Sequence, residues 1–215
     1  MSSNLSKLVV SVVLVLGAGC GWHGGSGVVS TSLRGVEAFS AVRLETPIEA
    51  TVVMGAQQPL ELQWDDNLLS LVVTEVEDDT LVVRLAEGTV YPKLPLTLRA
   101  YTPTLNAVTA TAASSVTADA VQSSRMDIAA SGASTVTLTG TSTDMTVALS
   151  GASELAASDF LVQTAAVNAS GASEGSVHVT GSITGTVSGS STLTVSGNPA
   201  TRNITVDTSS TVTFP

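Results

Sequence analysis

Side chains able to do chemistry are sparse in this chain, and their spacing argues against a shared centre. Beyond Thr102 the acids are Asp119, Asp127, Asp144, Glu154, Asp159, Glu174 and Asp207; apart from His178 the only basic side chains are Arg125 and Arg202. Glycoside hydrolysis needs two carboxylates about one bond, and a lyase needs a base with a cationic charge stabiliser. The acids occupy different places along the chain's repeats, with Asp127 read one place out of register with Asp144. Only Glu154 and Glu174 are equivalent. His23 and His178 are the only histidines, so a Ser–His–Asp relay would have to use His178, expected to face solvent between Val177 and Val179. Asp65-Asp66-Asn67 and the acids from Glu75 to Asp79 offer oxygen ligands without the spaced loop of a calcium site, and read as solvated turns. Thr135/Thr137, Thr192/Thr194 and Thr211/Thr213 would suit an ordered ice-binding array, but Glu154/Ala156 and Glu174/Ser176 interrupt it. The reading is a protein with no catalytic residues, no metal ligands and no cofactor.

The elements that carry these residues are repeats. Ser131-Gly132-Ala133-Ser134 recurs at Ser150-Gly151-Ala152-Ser153, Ser170-Gly171-Ala172-Ser173 and Ser188-Gly189-Ser190-Ser191, with degenerate copies at Thr111 to Ser114 and Asp207 to Ser210. A period of 18 to 20 residues means stacked units, none able to bury a core alone. Before each phrase one face carries Met126/Ile128/Ala130, Met145/Val147/Leu149, Ala165/Val167/Ala169 and Ile183/Gly185/Val187. After it, Val116, Val136, Leu155, Gly175, Leu193 and Val212 hold one equivalent place. Alternation at period two marks strands, and the Ser-Gly phrases read as tight corners, with Gly132, Gly151, Gly171 and Gly189 as the structural corner residues. The expected fold is all-β: a parallel β-helix (β-solenoid) of 19–20-residue rungs over residues 105–215, with a less regular β region over 34–104. The N-terminal strands and the Asn203–Pro215 terminus are expected to cap its two ends.

Aromatics make up 3% of residues, which leaves few side chains of the kind that anchor interfaces. A net charge of −10 opposes phosphate backbones and excludes nucleic acid as a partner. At the N-terminus Lys7, the apolar run Leu8 to Leu16 and Gly17-Ala18-Gly19 precede Cys20, the only cysteine. This resembles a bacterial lipoprotein signal, in which the peptidase cuts before a cysteine that carries the lipid. Residues 1–19 are then signal, Cys20 the lipid attachment site and membrane contact, and 20–33 a flexible Gly-rich tether to a single domain at 34–215. The localisation implied is the cell envelope, as an outer-membrane lipoprotein.

Arg34-Gly35-Val36-Glu37-Ala38-Phe39-Ser40-Ala41-Val42, Trp64-Asp65-Asp66-Asn67-Leu68-Leu69, Thr80-Leu81-Val82-Val83 and the serial Ser-Gly-Ala-Ser phrases together make the chain similar to the bacterial head GIN domain family of autotransporter adhesins. The resemblance covers Arg34 to the C-terminus. It implies a right-handed, single-stranded β-helix, export and adhesion, with no catalytic residues to carry over. The function expected is surface display or adhesion through a glycan or cell-envelope polymer. A carbohydrate-active enzyme and a structural envelope component are the alternatives.

Overall fold

The computed structural model describes residues 22–86 and 88–215; the expected signal at 1–19 and Cys20 lie outside the described residues. Strand accounts for 65% of the described residues, which places the fold in the all-β class. Helical geometry among the described residues is limited to one 3-10 turn at Leu69–Leu71. The strands are β1 Trp22–Gly24, β2 Val29–Arg34, β3 Ala41–Leu44, β4 Glu49–Met54, β5 Leu60–Asp65, β6 Val72–Glu77, β7 Thr80–Leu85, β8 Thr89–Tyr91 and β9 Thr97–Thr102. They continue as β10 Ala107–Ala110, β11 Ser115–Ala130, β12 Thr135–Leu149, β13 Glu154–Ala169, β14 Glu174–Val187, β15 Thr192–Ser196, β16 Thr201–Val206 and β17 Thr211–Thr213.

These strands coil into a β-solenoid of about 5 turns, as the repeat period requires. Equivalent residues of successive turns lie side by side in parallel ladders. One inward column runs Val116, Val136, Leu155, Gly175, Leu193, Val212. A second runs Ile128, Val147, Val167, Gly185, Ile204. Each fully buried Val, Leu or Ile in such a column contributes about 1.5–3 kcal/mol. Where the first column drops to Gly175, methyls of Leu193 and Leu149 close the gap, lying 3.1 and 3.2 Å from where a Cβ would stand. The parallel stack also extends below residue 105. Strands β3 and β4 lie under β10 and the start of β11, and β7 and β9 lie under β3 and β4.

At the corners Gly132, Gly151, Gly171 and Gly189 have φ of +75°, +71°, +83° and +71°, a conformation that costs other residues about 1–2 kcal/mol. They also stack. A Cβ on Gly151 would lie 2.8 Å from the Gly132 carbonyl oxygen, and one on Gly171 2.7 Å from that of Gly151. The following amides use this closeness: Ala152 donates to Gly132 and Ala172 to Gly151, both at 2.7 Å. The last serine of each corner turns inward, so Ser114, Ser134, Ser153, Ser173 and Ser191 are all buried. Ser134 Oγ donates to the Ala110 carbonyl at 2.9 Å, and Ser153 Oγ to that of Ala130 at 3.1 Å. A further bend interrupts the long strands, marked by register shifts after Ala118 and Thr137. There Gly140, at φ +130°, leaves no room for a Cβ beside the Val121 carbonyl.

The two ends differ. At the N-terminal end β6 covers β7, β5 covers β9 and β2 covers β5, all antiparallel. Arg34 stitches this cap together. Its Nη2 donates to the Leu69 carbonyl at 2.7 Å and its Nη1 to Thr74 Oγ1 at 3.3 Å, while burial lowers its pKa. At the other end the expected cap is one more rung: β16 pairs with β14, and β17 with β15. Arg202 pairs in register with buried Ile183 but is itself exposed, its guanidinium 4.2 Å from the centre of the half-buried Phe214 ring, a cation–π contact at this end of the stack.

Corner strain can be tested by mutation. In the first degenerate corner Ala112 and Ala113 hold φ of +55° and +62°. Ala112→Gly should stabilise the protein by about 0.5–1 kcal/mol, and Gly151→Ala should destabilise it by about 2 kcal/mol or more. Gly55, with open space around it, should tolerate Ala within about 0.5 kcal/mol. Urea midpoints for the three variants would check the order.

Candidate functional site

The solenoid's most regular surface is the wall that follows the Ser-Gly corner. Its outward residues form two columns across ten strands, because strand pairing, antiparallel at β2 and β5 and parallel beyond, keeps partners about 4.8 Å apart. One column reads Thr31, Gln63, Thr97, Glu49, Ser115, Thr135, Glu154, Glu174, Thr192, Thr211. The other reads Leu33, Glu61, Arg99, Thr51, Thr117, Thr137, Ala156, Ser176, Thr194, Thr213. Near the N-terminal end the wall dips into a shallow hollow of about 240 Å³ lined by Glu49, Thr51, Glu61, Gln63, Thr97 and Arg99. Arg99 is held there by Tyr101, with Nε donating to the phenol oxygen at 2.8 Å and the guanidinium 5.7 Å from the ring centre. The surface is flat, hydroxyl-rich and mildly acidic.

Residues singled out for chemistry are scattered by the same register. Glu154 and Glu174 are neighbours on this wall, both exposed. Asp144 faces Arg125 and Asp127 faces Thr146, so those two acids are two places out of register and not one. Thr164 donates its hydroxyl to Asp144. Arg125 donates to Asp127 at 2.9 Å, a hydrogen bond that raises the arginine pKa. His178 is half-buried against Gly197, whose missing Cβ would lie 2.5 Å from the imidazole Cδ2. Among the described residues His178 makes no hydrogen bond to a serine or aspartate, and no three His, Cys, Asp or Glu converge as metal ligands.

A sequence profile described as "Putative auto-transporter adhesin, head GIN domain" matches residues 38–199. The chain belongs to this family. Among curated proteins, none matches the sequence. Solved structures share the head GIN chain's architecture. A protein from Bacteroides fragilis called a "putative adhesin" superposes with a TM-score of 0.74 at 17% identity, covering 89% of this chain and 99% of that one. One of the same description from Parabacteroides distasonis gives 0.55 at 16% identity over 91% and 100%. Another from that organism, called a "putative lipid binding protein", gives 0.53 at 15% identity over the same shares. At these identities the likeness is one of fold.

In this head GIN chain the Asp65-Asp66-Asn67 turn has a role that the sequence reading missed. It clamps residues 24–28 onto the body. Asp65, wholly buried, accepts hydrogen bonds from the amides of Gly27, Lys93 (3.0 Å) and Leu94 (3.1 Å). Ser26 donates from its amide to Asn67 Oδ1 at 2.9 Å, and Asn67 donates back to the Gly24 carbonyl at 2.8 Å. Just before, β1 pairs in parallel with β8. From Trp22 onward the segment expected to be a flexible tether is therefore strand and clamp, because carboxylate and amide partners satisfy its backbone. The available signal was a buried-type aspartate beside Trp64, facing glycines that let amides approach closely. A Cβ on Gly25 would sit 2.6 Å from the Asp65 carboxylate.

Two carboxylates make stability sensitive to acid. Burial alone would raise the Asp65 pKa, but the amides of Gly27, Leu94 and Lys93 together hold it below its ordinary value. Asp207, in the last corner, is pushed down to about 2, chiefly by the Gly189 amide at 2.8 Å, with help from Ser210 and Ser209. A depressed carboxylate stabilises the fold above its unfolded pKa near 3.8 and loses that contribution as pH falls through its folded value. The melting temperature should therefore fall between about pH 4 and pH 2. Asp207→Asn should flatten that fall, and a scan of melting temperature from pH 6 to 2 checks it.

Proposed function

We propose that this protein is an exported, lipid-anchored envelope adhesin that holds glycan or envelope polymers along its flat wall. The observation that carries the reading is the pair of outward columns, in which hydroxyl, amide and carboxylate groups recur at every strand. A single hydrogen bond to such a group nets about 0.5–1.5 kcal/mol, too little for specific capture. A polymer crossing several rungs turns later contacts into intramolecular ones and gains avidity without a deep pocket. This suits a protein in which only 3% of residues are aromatic and stacking platforms are few. Acidic groups on the wall favour neutral or cationic partners. Membership of an adhesin family and the likeness to structures called adhesins support the reading, as does the lipoprotein-like sequence ending at Cys20.

Replacing Thr117, Thr137 and Thr194 together by Arg should leave melting unchanged while cutting polymer retention and cell attachment about tenfold, the loss of one or two such contacts. Unchanged binding on a glycan array and in attachment assays would sink the adhesive wall. Recovery of products with new reducing ends or unsaturated sugars would favour a carbohydrate-active enzyme instead. For the anchor, Cys20→Ala should move the protein from the membrane to the soluble envelope fraction, as cell fractionation would show.

A further inference from the structure

We propose that the N-terminal cap is a membrane-contact surface, seated on the bilayer that holds the anchor, with the repeats rising away from it. This rests on the lipid-anchor reading and adds an orientation to it. The first described strand begins at Trp22, two residues after Cys20, and a fully extended chain covers only about 7 Å in two residues. There is no slack after that point. Strand β1 is zipped to β8, Gly25 donates to the Tyr91 carbonyl at 2.9 Å, and Asp65 to Asn67 grip residues 24–28. A lipid on Cys20 must therefore draw this end of the solenoid, and no other, to the lipid surface.

The composition of that end supplies an independent argument. Among the described residues six large apolar side chains are well exposed, and four of them lie here: Val28 (58%), Val29 (63%), Leu33 (70%) and Tyr91 (52%). Val29 and Leu33 are two apart from Thr31 on one side of the outermost strand β2, and Val28 and Tyr91 flank the clamp through their backbone carbonyls. Val29 and Leu33 thus form an apolar outer edge on the wall's own side, beyond the Gln63, Glu61 and Thr97 of the strands that follow. Apolar side chains gathered beside an acyl anchor would add to its hold by entering the headgroup boundary by about 5–10 Å. Thr213, nine strand spacings from β2, then lies roughly 40 Å from the membrane.

The test uses the full chain, processed in a lipoprotein-exporting bacterium and reconstituted in dioleoylphosphatidylcholine vesicles. Cys20 is the only cysteine, so once acylated it leaves Val29→Cys or Thr213→Cys as the single free thiol for an environment-sensitive dye. Both positions are exposed, and unchanged melting would show the fold intact. The expected result is a blue shift and loss of aqueous iodide quenching at position 29 on vesicle binding, with position 213 unchanged. Equal quenching at both positions, with mass spectrometry showing acylated Cys20, would overturn the contact surface and leave the anchor standing. An unmodified Cys20 would remove the anchor and the proposal with it. Shielding at position 29 that appears without vesicles, as protein concentration rises, would mean that a second copy occupies the cap and would also overturn it.

Discussion

The structure depends on one constraint: backbone amides and carbonyls pair along the long axis, so each turn must repeat the path of the one below. At the corners this demand is sharpest. The amide of Ala152 reaches the Gly132 carbonyl, and that of Ala172 reaches Gly151, only because nothing projects between successive turns. Side-chain columns inside and out follow from the same registration. So does the composition of the core, which is mostly Val, Leu, Ile and Ala. Phe160 is buried completely, opposite Gly140 at the bend. Small residues at corners and modest ones inside thus share a cause.

That cause also decides what could be read from the sequence. The inner columns from Val116 to Val212 and from Met126 to Ile183 were legible because consecutive rungs are consecutive in sequence and each corner carries a recognisable phrase. The lower rungs were not. Their corner, Glu45-Thr46-Pro47-Ile48, has no glycine, and the chain leaves after β4 to build β5 through β9 before returning at β10. Two rungs adjacent in space are thereby separated in sequence, and periodicity vanishes though the stacking continues. At the C-terminal end the sequence could not distinguish a cap from a final rung, since β16 and β17 have the same alternation as the strands beneath them.

The tether shows a different limit. Glycines in Gly24-Gly25-Ser26-Gly27 fit a flexible linker and also fit a segment whose amides must approach a carboxylate at close range. Composition is the same in both cases, and only the partner decides. Here the partner is Asp65, buried and turned toward backbone amides, so an acidic turn that resembled a solvated loop is a structural clamp. The outward wall was legible only in part for a related reason. Its threonines could be placed on alternate positions, but Thr31, Gln63, Thr97 and Arg99 join it through strands whose register no repeat announces.

A solenoid must guard its ends, since unpaired ladder groups invite pairing with another chain. At the N-terminal end the direction of pairing reverses: β6, β5 and β2 run antiparallel to the strands they cover, which breaks the parallel register of the rungs there. At the C-terminal end the last rung is short, only six and three residues in β16 and β17, which limits the edge it offers to an incoming strand. Arg202, in register with Ile183, meanwhile sets an exposed charge over Phe214, a poor template for another apolar layer. Both devices disfavour end-to-end growth through backbone pairing and leave hydroxyl and carboxylate side chains as the regular exposed surface along the wall. In a chain built by repetition, that guard separates a finite solenoid from one that adds copies of itself.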